Sequence, residues 1–246
     1  MHWILLRGLT REQAHWDRLP ELLADAMPGH QFHTVDLPGT GVHFREHSPA
    51  TVAAIRSQVQ RQVAHIPGPY GLIGLSMGGM VALDWAQQAP VGEVQRLVLI
   101  NTSSGFSPPW QRMKPSALPA VLRLFATRDL FQREAGILGL TSNQPVTREI
   151  CKRWYRIQRQ RPVGALTAMR QLGAAARYRP KPKRPLPDAL VLASDRDRIV
   201  DSRCSVTLSE RWQWPLRIHR QAGHDLALDA PHWLVARVVG YLETSE

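Results

Sequence analysis

The chain of 246 residues carries 31 Lys and Arg against 20 Asp and Glu, a formal charge of +11, and 43% of it is hydrophobic, a mixture that folds and excludes a disordered chain. Two cysteines, Cys151 and Cys204, offer neither a disulfide framework, a CxxC pair nor a four-ligand metal set, and no apolar run approaches the roughly 20 residues that span a bilayer, so a soluble, uncleaved, cytoplasmic protein is expected. Residues 106–185 hold 17 Lys and Arg and 3 Asp and Glu, a net of +14, and the rest of the chain is at −3, a distribution unlike that of a nucleic-acid binder with charge along a reading motif.

In chain order, residues 3–6 form an apolar run bounded by turn signals and read as a buried parallel strand. Residues 12–26 carry a helical pattern, and 31–35 a weaker strand. Residues 51–66 read as a helix, with Val52, Ile55, Val59, Val63 and Ile66 at helical spacing. A strand at 70–74, a helix at 78–89 and a strand at 97–100 follow. The alternation then breaks, because 103–177 shows helical pieces and no strand pattern, as an inserted helical cap would. Within it, residues 147–160 sort at 100° per residue into an apolar face of Ile150, Cys151, Trp154 and Ile157 and an opposite face of Arg148, Lys152, Arg156 and Arg159. Residues 177–187, with four prolines and five cations, predict an extended connector. A strand at 189–193, a helix at 202–212, a weaker strand at 216–220 and a helix at 231–242 complete the chain. The pattern predicts the α/β class: a mostly parallel six-stranded sheet with helices on both faces, built from 1–104 and 186–246, with a helical cap of 105–185.

Gly74-Leu75-Ser76-Met77-Gly78 fits G-x-S-x-G between a strand and a helix. A tight strand-to-helix turn needs small flanking residues so that the central side chain can stand exposed in a strained conformation, and the helix N-terminus behind it favours a developing oxyanion. A serine nucleophile needs a base, and the base an orienting acid. His224, just past the strand at 216–220, falls at the carboxyl edge of the sheet, as Ser76 does, whereas His219 and His232 fall inside elements. Asp197, just past the strand at 189–193, is the candidate acid. Asp195 and Asp201 are its rivals, and Asp201 equally suits a helix N-cap.

The order Ser76, Asp197, His224 in this strand context resembles the α/β-hydrolase superfamily, and within it the compact capped serine esterases of the pimeloyl-acyl-carrier-protein methyl ester esterase type. Asp36-Leu37-Pro38-Gly39-Thr40-Gly41, Asp197-Arg198-Ile199-Val200, Gly223-His224 and Asp229-Ala230-Pro231 carry the likeness over nearly the whole chain. It resembles members that lack the first two strands. The resemblance implies ester hydrolysis through an acyl-enzyme on Ser76, with the backbone N–H groups of Leu9 and Met77 holding the oxyanion, and it implies no metal or organic cofactor. Serine at the turn argues against the dehalogenase and epoxide-hydrolase branches, which use aspartate there. Thioesters, C–C bonds, cofactor-free lyase or oxygenase chemistry and a non-catalytic binding role remain as alternatives on the same fold.

One departure stands out: Leu5-Leu6-Arg7-Gly8-Leu9 has Arg7 where the family usually carries histidine. Arg7 either replaces the histidine in holding the loop, faces the substrate as an anion clamp, or lies in solvent. Trp110, Met113, Phe125, Phe131 and Trp154 are candidates to line an acyl pocket, and each is equally suited to a core for the cap. The resemblance further implies an acidic acyl carrier protein, or another anionic partner, at the basic cap. A solvated basic helix is the alternative.

Overall fold

Short apolar runs become buried strands when helices cover both faces of the sheet that they form. The computed structural model describes residues 1–243. In it β1 (His2–Leu6), β2 (Gln31–Val35), β3 (Tyr70–Leu75), β4 (Val94–Ile100), β5 (Leu190–Ser194) and β6 (Leu216–His219) form one sheet in the order β2-β1-β3-β4-β5-β6, every pair parallel. Helices α1 (Leu19–Ala26), α2 (Val52–Gln62) and α3 (Met77–Gln88) connect the first four strands. Between β4 and β5 come α4 (Pro109–Arg112), α5 (Leu118–Ala126), α6 (Leu130–Thr141), α7 (Arg148–Gln160) and α8 (Ala165–Arg177). Then α9 (Arg203–Trp212) joins β5 to β6, and α10 (Leu226–Asp229) and α11 (Pro231–Glu243) follow β6.

Alternate residues of each strand point to opposite faces. Trp3, Leu5, Ile73 and Val98 meet Leu19 and Leu23 of α1 and Leu234 and Val238 of α11 on one face. On the other, Ile4, Leu6, Leu72 and Leu97 meet α2, α3 and α9 through Ile55, Val59, Val81 and Leu208. A smaller core of Leu138, Cys151, Trp154 and Ile157 holds α6 and α7 together. Of the apolar face expected for 147–160, Cys151, Trp154 and Ile157 are therefore buried and Ile150 half-buried, and Arg148, Lys152, Arg156 and Arg159 are exposed. Among the described residues, no helix is long and apolar enough to cross a membrane.

The structure corrects two helix boundaries, and it starts the strand expected over 97–100 three residues earlier, at Val94. The helix expected over 12–26 is a single 3-10 turn, Gln13–Trp16, followed by α1. Asp17 takes φ 53° between them, a left-handed conformation that ends a helix, and Pro20 sits near the start of α1, where a missing N–H costs nothing. The helix expected over 51–66 ends at Gln62, although Val63 and Ile66 still pack in the core. The connector after α8 has no helix or strand, and it is pinned to the body, with Trp212 Nε1 donating to Pro182 O at 3.1 Å and Trp214 Nε1 to Leu186 O at 3.2 Å.

Ion pairs join α6 and α7 to the loop that follows β1. Arg11 pairs with Glu134 at 2.6 Å and Arg153 with Asp17 at 2.9 Å, and Arg161 grips the buried Glu12 with both Nε and Nη2. The loop after β1 is thus held between the sheet edge and the helices above it.

Candidate active site

The turn between β3 and α3 is built by close approach. A Cβ on Gly74 would lie 2.5 Å from Gly78 O, and one on Gly78 would lie 2.1 Å from Leu6 O, so only glycine lets α3 start directly behind β3 and against β1. Ser76, the residue between them, is held at φ 55°, ψ −116° and is the N-cap position of α3. Its N–H donates to Ile100 O at 2.8 Å and its carbonyl accepts from Gly79 and Met80, so backbone bonds fix the strained conformation. Among the described residues, its Oγ makes no hydrogen bond. Met77 opens α3, where a backbone N–H has no intrahelical acceptor. Leu9 follows Gly8, whose Cα packs so closely on Ser76 that an added Cβ would sit 3.3 Å from Ser76 Cβ. No hydrogen bond occupies the Leu9 N–H among the described residues.

His224 lies past the end of β6, buried at 7% exposure, with Nδ1 2.6 Å from Asp197 Oδ2. The other carboxylate oxygen of Asp197 accepts from the N–H groups of Ile199 at 2.7 Å and Val200 at 3.0 Å, which locks the carboxylate plane toward the ring. Of the three aspartates that the sequence leaves open, only Asp197 meets His224. Asp195 is exposed, and Asp201 binds Arg203 through both oxygens, whose hydrogen bonds hold its carboxyl down to about 2. Burial alone pushes His224 down, but the charge of Asp197 and its hydrogen bond, aided by Asp225, outweigh it and raise the imidazole above its ordinary value.

Arg7 is 2% exposed and makes a bidentate pair with Asp225, Nη1 to Oδ1 at 3.0 Å and Nη2 to Oδ2 at 2.6 Å, with its guanidinium 4.8 Å over the Trp16 ring. It therefore does not lie in solvent, and its anion is the residue next to His224. Replacing it with an apolar chain leaves the Asp225 charge buried alone, a change that costs about 3–5 kcal/mol in comparable sites. Arg7→Met is expected to lower the melting temperature by roughly 6–20 °C. A melt that matches the parent contradicts this role.

Three further residues hold the His224 loop, and the sequence reading did not single them out for this. Asn101, at φ 46° past the end of β4, donates Nδ2 to His224 O at 2.8 Å and accepts from Ser194 N–H at 2.7 Å. Asp229 accepts from Gly223 N–H at 2.6 Å, from Asn143 N–H at 2.8 Å and from Ser142 Oγ. Asp225 accepts from Leu228 N–H and so caps α10. The polar residue just past a buried strand was the available signal for Asn101.

Ser76, Met77, Leu9 and His224 all border one cavity of about 960 Å³, the size of a small-molecule site. No hydrogen bond joins Ser76 Oγ to the His224 ring among the described residues. Met113, Phe125 and Trp154 also border the cavity, with Leu124, Ile137 and Leu172. Trp110 does not. It is 62% exposed on the four-residue α4, too short to bury a face. Phe131 instead packs edge-on to Tyr155 at 5.9 Å.

The model of the alpha/beta hydrolase family matches residues 3–237. Over 103 residues, 42% of this chain, the sequence is 31% identical to the pimeloyl-[acyl-carrier protein] methyl ester esterase of Nitrosomonas europaea, and that match spans only 38% of the relative's length. Similar solved structures include the 2-hydroxy-6-oxo-6-phenylhexa-2,4-dienoate hydrolase of Rhodococcus sp. strain RHA1, at 19% identity and a TM-score of 0.79 over 98% of this chain and 90% of that one. Another is an esterase from Exiguobacterium antarcticum, at 16% identity and a TM-score of 0.77 over 99% and 92%. At these identities the structural likeness is one of fold. The breadth of the family match settles the membership: the chain belongs to the alpha/beta hydrolase family.

Proposed function

We propose that this hydrolase cleaves carboxylic esters through an acyl-enzyme on Ser76. The observation that carries the reading is the strained Ser76 at the N-terminus of α3, sharing one cavity with a His224 ring that Asp197 holds at 2.6 Å. Ser76 Oγ attacks the acyl carbon while His224 Nε2 takes its proton, and Asp197 keeps the other ring nitrogen protonated. The N–H groups of Leu9 and Met77 receive the oxyanion. His224 then gives its proton to the leaving alcohol, and a water activated by the same imidazole releases the acid and restores Ser76. The Ser76 to His224 hydrogen bond forms when substrate fills the cavity, since such bonds are often long in empty sites. The helices between β4 and β5 act as the cap over the acyl chain, and the cations on the outer face of α7 suit an anionic carrier of that ester.

A panel of p-nitrophenyl esters of increasing acyl length, run beside the corresponding acyl-thioesters and a carrier-linked ester, tests the reading. It requires turnover of the oxygen esters. Turnover of thioesters alone replaces it with a thioesterase, and turnover of none removes the hydrolytic role for these bonds.

The pH dependence follows from the raised imidazole. His224 acts as base only when neutral, and its protonated form is favoured by Asp197 and Asp225 despite burial. Activity is therefore expected to rise with pH through an ionisation above the ordinary value of about 6.5, and to be low below it. A profile of kcat/KM that is flat between pH 5 and 8, with chemistry rate-limiting, contradicts a histidine base.

A further inference from the structure

Three consecutive residues of the loop after β1 are each held by a different helix from the segment between β4 and β5. Thr10 N–H donates to Gln171 Oε1 of α8 at 2.8 Å, Arg11 Nη1 donates to Glu134 Oε2 of α6 at 2.6 Å, and Glu12 accepts from Nε of Arg161, at the end of α7, at 2.7 Å. The two ion pairs act on side chains. The Gln171 bond acts on the main chain, one peptide away from the N–H of Leu9.

That peptide matters because of how the turn is made. Arg11 N–H donates to Gly8 O at 3.2 Å and closes a turn with Leu9 and Thr10 at its centre. Gly8 O and Leu9 N–H belong to one planar trans peptide and point in opposite directions, so holding the oxygen toward Arg11 aims the N–H away from it. Thr10, the second central residue, has φ 58°, a left-handed value that suits glycine or asparagine and is an outlier for a β-branched side chain. Such a conformation persists where its surroundings over-determine it.

Gln171 is built to do so. It is fully buried, and its amide can point only one way, because Thr10 N–H only donates and Pro38 O, 3.3 Å from Nε2, only accepts. One turn earlier on α8, Thr167 packs so closely on Gly39 that an added Cβ there would lie 2.6 Å from Thr167 Cγ2. This contact and the Pro38 bond seat Gln171 on the loop after β2, and its oxygen holds the loop after β1.

We infer that Gln171 is a positioning residue for catalysis: through Thr10 N–H it keeps the Gly8–Arg11 turn in the form that presents Leu9 N–H to the oxyanion. The inference rests on the ester-hydrolase reading above and extends it, since it makes one oxyanion donor depend on where α8 sits.

The test uses the full chain and the p-nitrophenyl ester that the parent turns over fastest. Gln171→Met keeps the length of the side chain and removes both bonds, and it is expected to lower kcat and kcat/KM together by about 10-fold to 100-fold. Gln171→Glu keeps an acceptor for Thr10 N–H and is expected to stay within about five-fold of the parent. Arg153→Gln, which breaks only the exposed pair with Asp17, is expected to stay within about two-fold. A trifluoromethyl ketone of the same acyl chain gives a further readout, because Ser76 Oγ adds to its carbonyl, the Oγ proton passes to His224 and the carbonyl oxygen becomes an oxyanion. Its inhibition constant is expected to rise in Gln171→Met by about the factor that kcat/KM falls. Melts establish folding, and if the methionine variant does not fold, Gln171→Asn, one methylene too short to reach Thr10, takes its place. A folded variant with parental kcat/KM, a loss as large in Gln171→Glu or Arg153→Gln, or a loss without weaker ketone binding overturns the positioning role and leaves the esterase reading standing. A parent protein that turns over no ester overturns both.

Discussion

Ser76→Ala is expected to lower kcat/KM for ester hydrolysis by about 10⁴-fold or more, with the melting curve unchanged. Both halves follow from the geometry. The Ser76 backbone is fixed by bonds from its own N–H and carbonyl, which alanine retains, and its Oγ has no hydrogen bond to lose among the described residues. Alanine at φ 55° carries the same kind of strain as serine, since both have a Cβ there. What disappears is the oxygen that attacks in the proposed mechanism. Retained activity in the folded variant would place the nucleophile elsewhere.

Asp197→Asn is expected to be of similar severity, about 10⁴-fold in kcat, and Asp195→Asn and Asp201→Asn to stay within a few-fold of the parent. Asp197 presents one oxygen to His224 Nδ1 and uses the other for two backbone N–H groups. An asparagine held in the same place either presents its amide N–H to Nδ1, which favours the wrong tautomer, or leaves the Ile199 and Val200 N–H groups without an acceptor. Asp195 is exposed, and the carboxylate of Asp201 is engaged by its near neighbour Arg203, so neither reaches the ring. Equal sensitivity at Asp201 would assign the orienting acid wrongly.

How far the molecule was readable before folding depended on whether a signal was local. The inner strands β1, β3, β5 and the second half of β4, Leu97–Ile100, are buried on both faces, so their residues form apolar runs that stand out from any flanking turn. The edge strands β2 and β6 are mostly half-exposed and gave weaker patterns. The turn between β3 and α3 was legible because close packing restricts positions 74 and 78 to glycine, and a compositional restriction survives in sequence. The broken helix over 12–26 was not, because the left-handed turn at Asp17 does not alter the spacing of the apolar residues around it. The task of Arg7 was beyond reach for a different reason: its partner Asp225 is 218 residues away, and only the sheet, which sets β1 and the loop after β6 on one edge, brings them together. Trp110 misled because an aromatic residue on a short helical segment reads the same whether it faces a cavity or solvent.

The central claim is that Ser76 is the residue that becomes acylated, and it is tested most directly by trapping it. A fluorophosphonate forms a stable bond to an activated serine Oγ with loss of fluoride, and peptide mass mapping then locates the adduct. The expected result is one adduct per chain, on the peptide that contains Ser76, with hydrolysis lost in proportion to labelling and no adduct in Ser76→Ala. An unlabelled protein that still hydrolyses esters, or an adduct on any other residue, would contradict it.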